Sequence, residues 1–222
     1  VSEMEHHSNI VPWQMLAERK GAEIRVLPFD EAGALRTDLL PSLVDERTRV
    51  VAVTQASNTL GTRPDLRTVV EAAHAVGAVV VVDGCQGVVH GGVDVRAMDC
   101  DFYAFSGHKL YGPTGIGVLY GKRELLERMP PFMGGGDMVD TVTFAKTTYA
   151  PVPLKFEAGT ANFVGAIGLG EAVKFMQRFD PAEIEAHEEA LLHRATERLE
   201  GIGGLRIYGT APGKCAIVSF NV

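Results

Sequence analysis

The sequence predicts an α/β fold built on a mainly parallel sheet. Strand-like apolar runs alternate with helical patterns along most of the 222 residues, and that alternation argues for crossover connections between parallel strands. The run from Ala78 to Val82 is apolar without interruption, as in a strand buried on both faces. Between 65 and 76, apolar residues recur at 66, 69, 70, 73 and 76, which is one face of an amphipathic helix.

Taken in order, residues 12–20 read as a helix with Gly21 in the stopping position. A short strand is predicted within 23–28, a helix over 38–44 and a strand over 49–54. The helix of 65–76 stops at Gly77, and strand 78–82 follows, closed by Asp83. A Gly-rich loop leads to strands 102–105 and 116–120, then to a short helix over 122–128 that ends before Pro130-Pro131. Residues 133–153 read as a long irregular excursion, of a length that is usually functional or interfacial. Two helices close the pattern. One spans 164–179, and one spans 181–200 with Asp180 as cap and Pro181 as first residue. Segments 205–208 and 216–222 read as strands of a different, smaller layer, which sets expected domain limits at 1–175 and 176–222.

Composition narrows the function classes. The net charge is −7, with scattered basic residues and no basic stripe, which argues against nucleic acid or an anionic membrane as partner. No run approaches the about 18 apolar residues of a membrane span. Cys85, Cys100 and Cys215 have neither metal-ligand nor disulfide-framework spacing. Reduced thiols and a cytoplasmic location are the expectation. The chain opens at Val1 on what reads as mid-domain and ends on the apolar run 215–222, so both ends are expected to be internal to a longer protein.

The chemistry-bearing residues collect at strand ends. Asp83 closes one buried run, and Ser106-Gly107-His108-Lys109 follows the apolar run 101–105. Ligands of open α/β sheets bind at the carboxyl edge of the strands. A lysine that forms a Schiff base, together with an acid facing a pyridinium nitrogen, is the protein's part of pyridoxal phosphate chemistry. Gln86, three residues after the acid, is either a donor to a ring hydroxyl or a solvated loop amide. Ser106 and His108 are candidate phosphate ligands. Thr160 is either a further phosphate donor or the cap of the helix that follows. His6 suits stacking on an aromatic ring or shuttling protons. A metal reading of the His6-His7 pair is disfavoured because adjacent rings point apart on a helix. Asn58 follows a buried strand and is either a ligand of substrate or ring, or a turn former.

Several stretches together resemble the class V aminotransferase family, and within it the SUF-type (group II) cysteine desulfurases. They are Glu3-Met-Glu-His-His-Ser-Asn-Ile-Val-Pro-Trp-Gln, Val82-Asp-Gly-Cys-Gln, the stretch from Met98 through Ser106-Gly-His-Lys-Leu-Tyr-Gly-Pro-Thr-Gly to Gly117, and Phe156-Glu-Ala-Gly-Thr. The resemblance implies a fold-type I pyridoxal phosphate enzyme with helices on both faces of its sheet. It implies removal of sulfur from L-cysteine as an enzyme-bound persulfide, leaving alanine, with transfer to an acceptor protein for iron–sulfur cluster assembly.

Carried over by residue, the resemblance makes His6 the ring-stacking histidine and Asn58 the asparagine beside ring hydroxyl and substrate. Asp83 and Gln86 become partners of the ring nitrogen and hydroxyl, Ser106 and His108 phosphate ligands, and Lys109 the Schiff-base lysine. Thr160 becomes a phosphate ligand supplied across a homodimer. The family's persulfide-forming cysteine and carboxylate-binding arginine fall beyond Val222, and a phosphate-binding threonine falls upstream of Val1. None of the three cysteines occupies the catalytic loop, and Cys85 stands where alanine is common. A selenocysteine lyase or an amino-acid epimerase on the same scaffold is the alternative, and a non-catalytic partner-binding domain is a third.

Overall fold

Strands β1 (Val50–Thr54), β2 (Val79–Asp83), β3 (Phe102–Ser106) and β4 (Gly117–Gly121) form one sheet in that order in the computed structural model, which describes residues 1–222. The first three run parallel, and β4 returns antiparallel beside β3. Register sets Thr54 against Asp83 and Asp83 against Ala104. The three parallel strands therefore finish on one edge, and the loops carrying Asn58, Asp83 and Lys109 all leave from it.

Helix α1 spans Val11–Lys20 and stops at Gly21, whose φ of 65° is left-handed. The crossover from β1 to β2 contains α3 (Leu66–Ala75), after the single turn α2 (Leu40–Leu43) earlier in the chain. Asp65 starts α3 by accepting the Thr68 N–H at 3.2 Å and its hydroxyl at 2.6 Å. Its apolar face, Val69, Val70 and Ala73, is buried in one core with Val53, Val80 and Val82. Each fully buried valine contributes about 1.5–3 kcal/mol relative to an exposed one. Helix α3 covers Val80 and Val82 of β2, a strand with neighbours on both sides, while Val79 and Val81 on its other face are only half-buried, which corrects the expectation of burial on both faces.

The opposite edge of the sheet is pinned by Asp101, which is 6% exposed. One oxygen accepts the Val80 N–H at 2.7 Å and meets His74 Nε2 at 2.9 Å, while the other pairs with Lys122 at 3.0 Å. Burial pushes this carboxyl up, but its three partners outweigh that and hold it below the usual range. Asp94 caps the one-turn helix α4 (Val95–Met98), which leads into β3.

Beyond β4 come α5 (Arg123–Arg128), a hairpin of β5 (Val139–Val142) and β6 (Thr147–Tyr149), α6 (Phe163–Met176), α7 (Pro181–Glu200), and the pair β7 (Arg206–Tyr208) and β8 (Ser219–Asn221). Asp180 caps α7 through the Ala182 N–H at 2.9 Å, as its sequence predicts. Two expectations are corrected. Residues 23–28 form no strand, because Leu27 alone bridges, to Ser2. The 133–153 excursion is not wholly irregular, since its Thr- and Val-rich segments pair antiparallel around a turn closed by Thr143 and Lys146. No helix is long and apolar enough to cross a membrane.

Candidate active site

Asp83 ends β2 and folds its own turn: its Oδ1 accepts the Cys85 N–H at 2.9 Å. Its second oxygen is left uncommitted. The turn is braced from beneath by two residues that the sequence pattern does not single out. Tyr103, on β3, donates its hydroxyl to Gln55 Oε1 at 2.5 Å and lies 3.3 Å from the Gly84 carbonyl. A Cβ on Gly84 would stand 1.9 Å from Tyr103 Cζ, and one on Gly87 would stand 2.0 Å from Gln55 Oε1. Both glycines of the Asp83–Gly87 turn are therefore required by the brace. Burial pushes the Tyr103 hydroxyl well above its ordinary range, so it remains a donor.

Lys109 is held by the end of β3 and by the antiparallel return. Ser106 pairs with Gly117, and the Gly107 N–H bonds to the Ile116 carbonyl at 2.8 Å. Residues Gly107–Leu110 then make one 3-10 turn, ended by Tyr111 at φ 59°. Leu110 is buried, which leaves Lys109 half-buried and His108 exposed. Leu169 of α6 presses on the same turn near Gly107 and Gly112. The Lys109 amine forms no ion pair with any carboxylate, unlike Lys122 beside Asp99 and Asp101.

Cys85 lies between the acid and the lysine. Its Sγ is 3.9 Å from Ser106 Oγ. Burial and the Asp83 carboxylate push its thiol up, while Ser106 and the Lys109 ammonium pull the other way. Cys100 is fully buried and pushed up to about 11, first by burial and then by Asp101. Cys215 is also buried, accepting from Arg63 Nε at 3.2 Å. None of the three thiols is an exposed, activated nucleophile.

The remaining candidates stand free. His6 Nδ1 accepts the Ser8 N–H at 3.2 Å and faces Ser8 Oγ at 2.8 Å, which puts the proton of the neutral ring on Nε2. Asn58 is exposed, and the turn there is made instead by Ser57, whose Oγ accepts the N–H groups of Thr59 and Leu60 at 3.3 and 3.1 Å. Likewise Thr160 is exposed and does not cap α6; Asn162 does, through the Gly165 N–H at 3.0 Å, while also bonding the Gly115 carbonyl. Gln86 is half-buried in the Asp83 turn. The structure thus gathers Asp83, Cys85, Ser106 and Lys109 by direct contact or charge. Asn58 and Gln86 lie in loops that leave the same sheet edge, His6 follows Glu5, which is bonded to Thr54 at that edge, and Thr160 stands just ahead of α6. A cavity of about 430 Å³ lies elsewhere, between α1 and β1, and is lined mainly by apolar residues such as Trp13, Leu16 and Val51.

This donor set fits a pyridine ring bearing a carbonyl and a phosphate. There is a free acid oxygen for a ring nitrogen, an amine with no competing acid, and a hydroxyl and imidazole beside it. The family model for class-V aminotransferases matches residues 1–222. The chain belongs to the class-V aminotransferase family. A cysteine desulfurase of Dickeya dadantii is 53% identical over the whole chain, which covers 54% of that protein. A crystal structure of the cysteine desulfurase CsdA from Escherichia coli, in an S-sulfonic acid form, superposes with a TM-score of 0.95 at 45% identity, over 99% of this chain and 55% of that one. The apo cysteine desulfurase of Thermococcus onnurineus NA1 gives 0.93 at 35% identity, over 100% of this chain and 56% of that one. The chain spans about half the length of these relatives, and its fold is that of the family's large fold-type I domain.

Proposed function

We propose that these residues are the cofactor-binding part of a pyridoxal phosphate-dependent cysteine desulfurase. The observation that carries this reading is the free amine of Lys109 and the free oxygen of Asp83, presented at one edge by the adjacent strands β3 and β2. In the reaction, L-cysteine and an enzyme thiol become alanine and an enzyme persulfide: one C–S bond breaks, one S–S bond forms, and no outside oxidant is needed. When bound, pyridoxal phosphate supplies the electron sink that makes the C–S bond breakable.

The chain's own residues divide the remaining work. Asp83 would keep a ring nitrogen protonated, and Gln86 and Asn58 would hold the ring hydroxyl side. His6 would cover the ring face, while Ser106 and His108 would grip phosphate. Lys109 would anchor the cofactor and move a proton at the substrate carbon. The persulfide thiol is none of Cys85, Cys100 and Cys215, because burial holds the first two protonated and Cys215 is enclosed beside Arg63.

The same reading makes residues 1–175 the cofactor domain and 176–222 the connecting helices and the start of a second one. It assigns the protein to the SUF-type branch, to the cytoplasm and to a sulfur-acceptor protein serving iron–sulfur cluster assembly. It also makes the protein a homodimer in which Thr160 reaches the neighbour's phosphate. That assembly is supported by the apolar side chains left exposed in and just before the hairpin, among them Phe132, Val142 and Phe144, and by Ile167 on α6. Titrating the protein with pyridoxal phosphate should raise a visible absorbance band that Lys109→Ala abolishes without loss of helical circular dichroism. A band of equal strength in the variant would defeat the reading.

A further inference from the structure

Glu5 is a buried carboxylate that the proposed chemistry does not use. It is 7% exposed and accepts at both oxygens: Oε1 takes the Thr54 N–H at 2.8 Å and the Ser2 hydroxyl, and Oε2 takes Asn9 Nδ2 at 2.7 Å. Asn9 in turn accepts Trp13 Nε1–H at 3.0 Å. Of the hydrogen bonds made by residues 5–13, the one from Thr54 reaches the sheet, across 49 residues of chain. Thr54 is the last residue of β1 and the register partner of Asp83. The segment bearing His6 is therefore fastened to the site edge through Glu5, one residue pair from the acid.

The network has one direction. Trp13 Nε1–H can only donate, so Asn9 must turn its oxygen to Trp13 and its amide hydrogens to Glu5. Thr54 N–H can also only donate. Residue 5 must then accept at both ends, which a carboxylate does and a carboxamide of equal shape cannot. We propose that Glu5 is a positioning residue for the cofactor site, setting His6 over the edge that carries Asp83 by accepting at both ends of this network. The proposal rests on the pyridoxal phosphate reading of that edge.

The test uses the full chain and four proteins: unchanged, Glu5→Gln, Trp13→Phe and the double variant. Affinity for pyridoxal phosphate is read from the Lys109-dependent absorbance band, and stability from thermal melting. Glu5→Gln leaves one donor facing another, either at Thr54 or along Asn9 to Trp13. Its affinity should fall about tenfold, the worth of one hydrogen bond held in a buried network. Trp13→Phe removes the fixed donor and lets Asn9 turn over to accept from the carboxamide that Glu5→Gln introduces. The double variant should therefore bind within about twofold of Trp13→Phe alone, a rescue that a mere loss of packing would not show. If Glu5→Gln does not fold, the double variant carries the test alone, and its failure to fold overturns the proposal. An unaffected Glu5→Gln, or a double variant as weak as Glu5→Gln, also overturns it. A Lys109-dependent band that ignores Glu5 defeats this inference only. Absence of such a band in the unchanged chain defeats the cofactor reading and this inference together.

Discussion

Gly84→Ala isolates the brace beneath the cofactor turn. Gly84 does not lie in the left-handed region, so the new methyl group brings no backbone strain and its cost is steric. The added Cβ would stand 1.9 Å from Tyr103 Cζ and 2.1 Å from its hydroxyl. Ordinary contact needs about 3.5 Å or more, so the ring must retreat by more than an ångström. Tyr103 is 2% exposed and donates to Gln55, so it cannot retreat without losing that bond. Overpacking costs about 1–3 kcal/mol and the hydrogen bond about 1 more. A loss of roughly 2–4 kcal/mol corresponds to about 5–15 °C in Tm for a chain of this size. Urea and thermal unfolding measure it. Tyr103→Leu, which removes the clashing atoms, should recover part of the loss when combined with Gly84→Ala. A Gly84→Ala protein as stable as the unchanged one would refute the reasoning.

Asp101→Asn should cost about 2–4 kcal/mol at neutral pH, because the carboxamide removes the charge and keeps one acceptor oxygen, so it cannot serve both Lys122 on one side and Val80 with His74 on the other. Because the folded carboxyl is held low, its contribution is full above the unfolded value near 4 and is lost as pH falls through the folded one. The gap between the two proteins should therefore narrow as pH falls below the unfolded value of about 4, and a gap that does not change with pH would contradict the assignment. A thiol reagent followed by peptide mapping should modify Cys85 slowly at neutral pH and reach Cys100 and Cys215 only on unfolding. Fast labelling of Cys100 would count against its burial. Sedimentation should show a dimer that Phe144→Asp weakens; a concentrated unchanged protein that stays monomeric would remove the interface.

Much of the fold is readable because local signals and tertiary demands agree. Asp65 and Gly77 bracket α3 with a cap and a stop, and Val80 and Val82 of β2 are fully buried beneath it. Lys109 is visible because Ser106, His108 and the glycines mark an unusual turn straight after a strand. Residues 23–28 mislead because Ile24 and Val26 have strand chemistry while only Leu27 finds a bridging partner, and strand formation depends on the partner. The hairpin of β5 and β6 is hidden by a turn, Thr143 to Lys146, that lacks the usual Asn or Gly. Glu5, Gln55 and Tyr103 are not legible, since each acquires its role from a residue about 20 or more positions away. Asn58 and Thr160 are half legible: Ser57 and Asn162 make the turn and the cap, which frees both side chains.

The central claim is that Lys109 holds the cofactor opposite Asp83. Borohydride reduction of the protein with pyridoxal phosphate, followed by proteolysis and mass mapping, tests it most directly. The account requires a single dominant label on the peptide carrying Lys109, lost in Lys109→Ala and weakened in Asp83→Asn. A dominant label on any other lysine, such as Lys122 or Lys155, would contradict it.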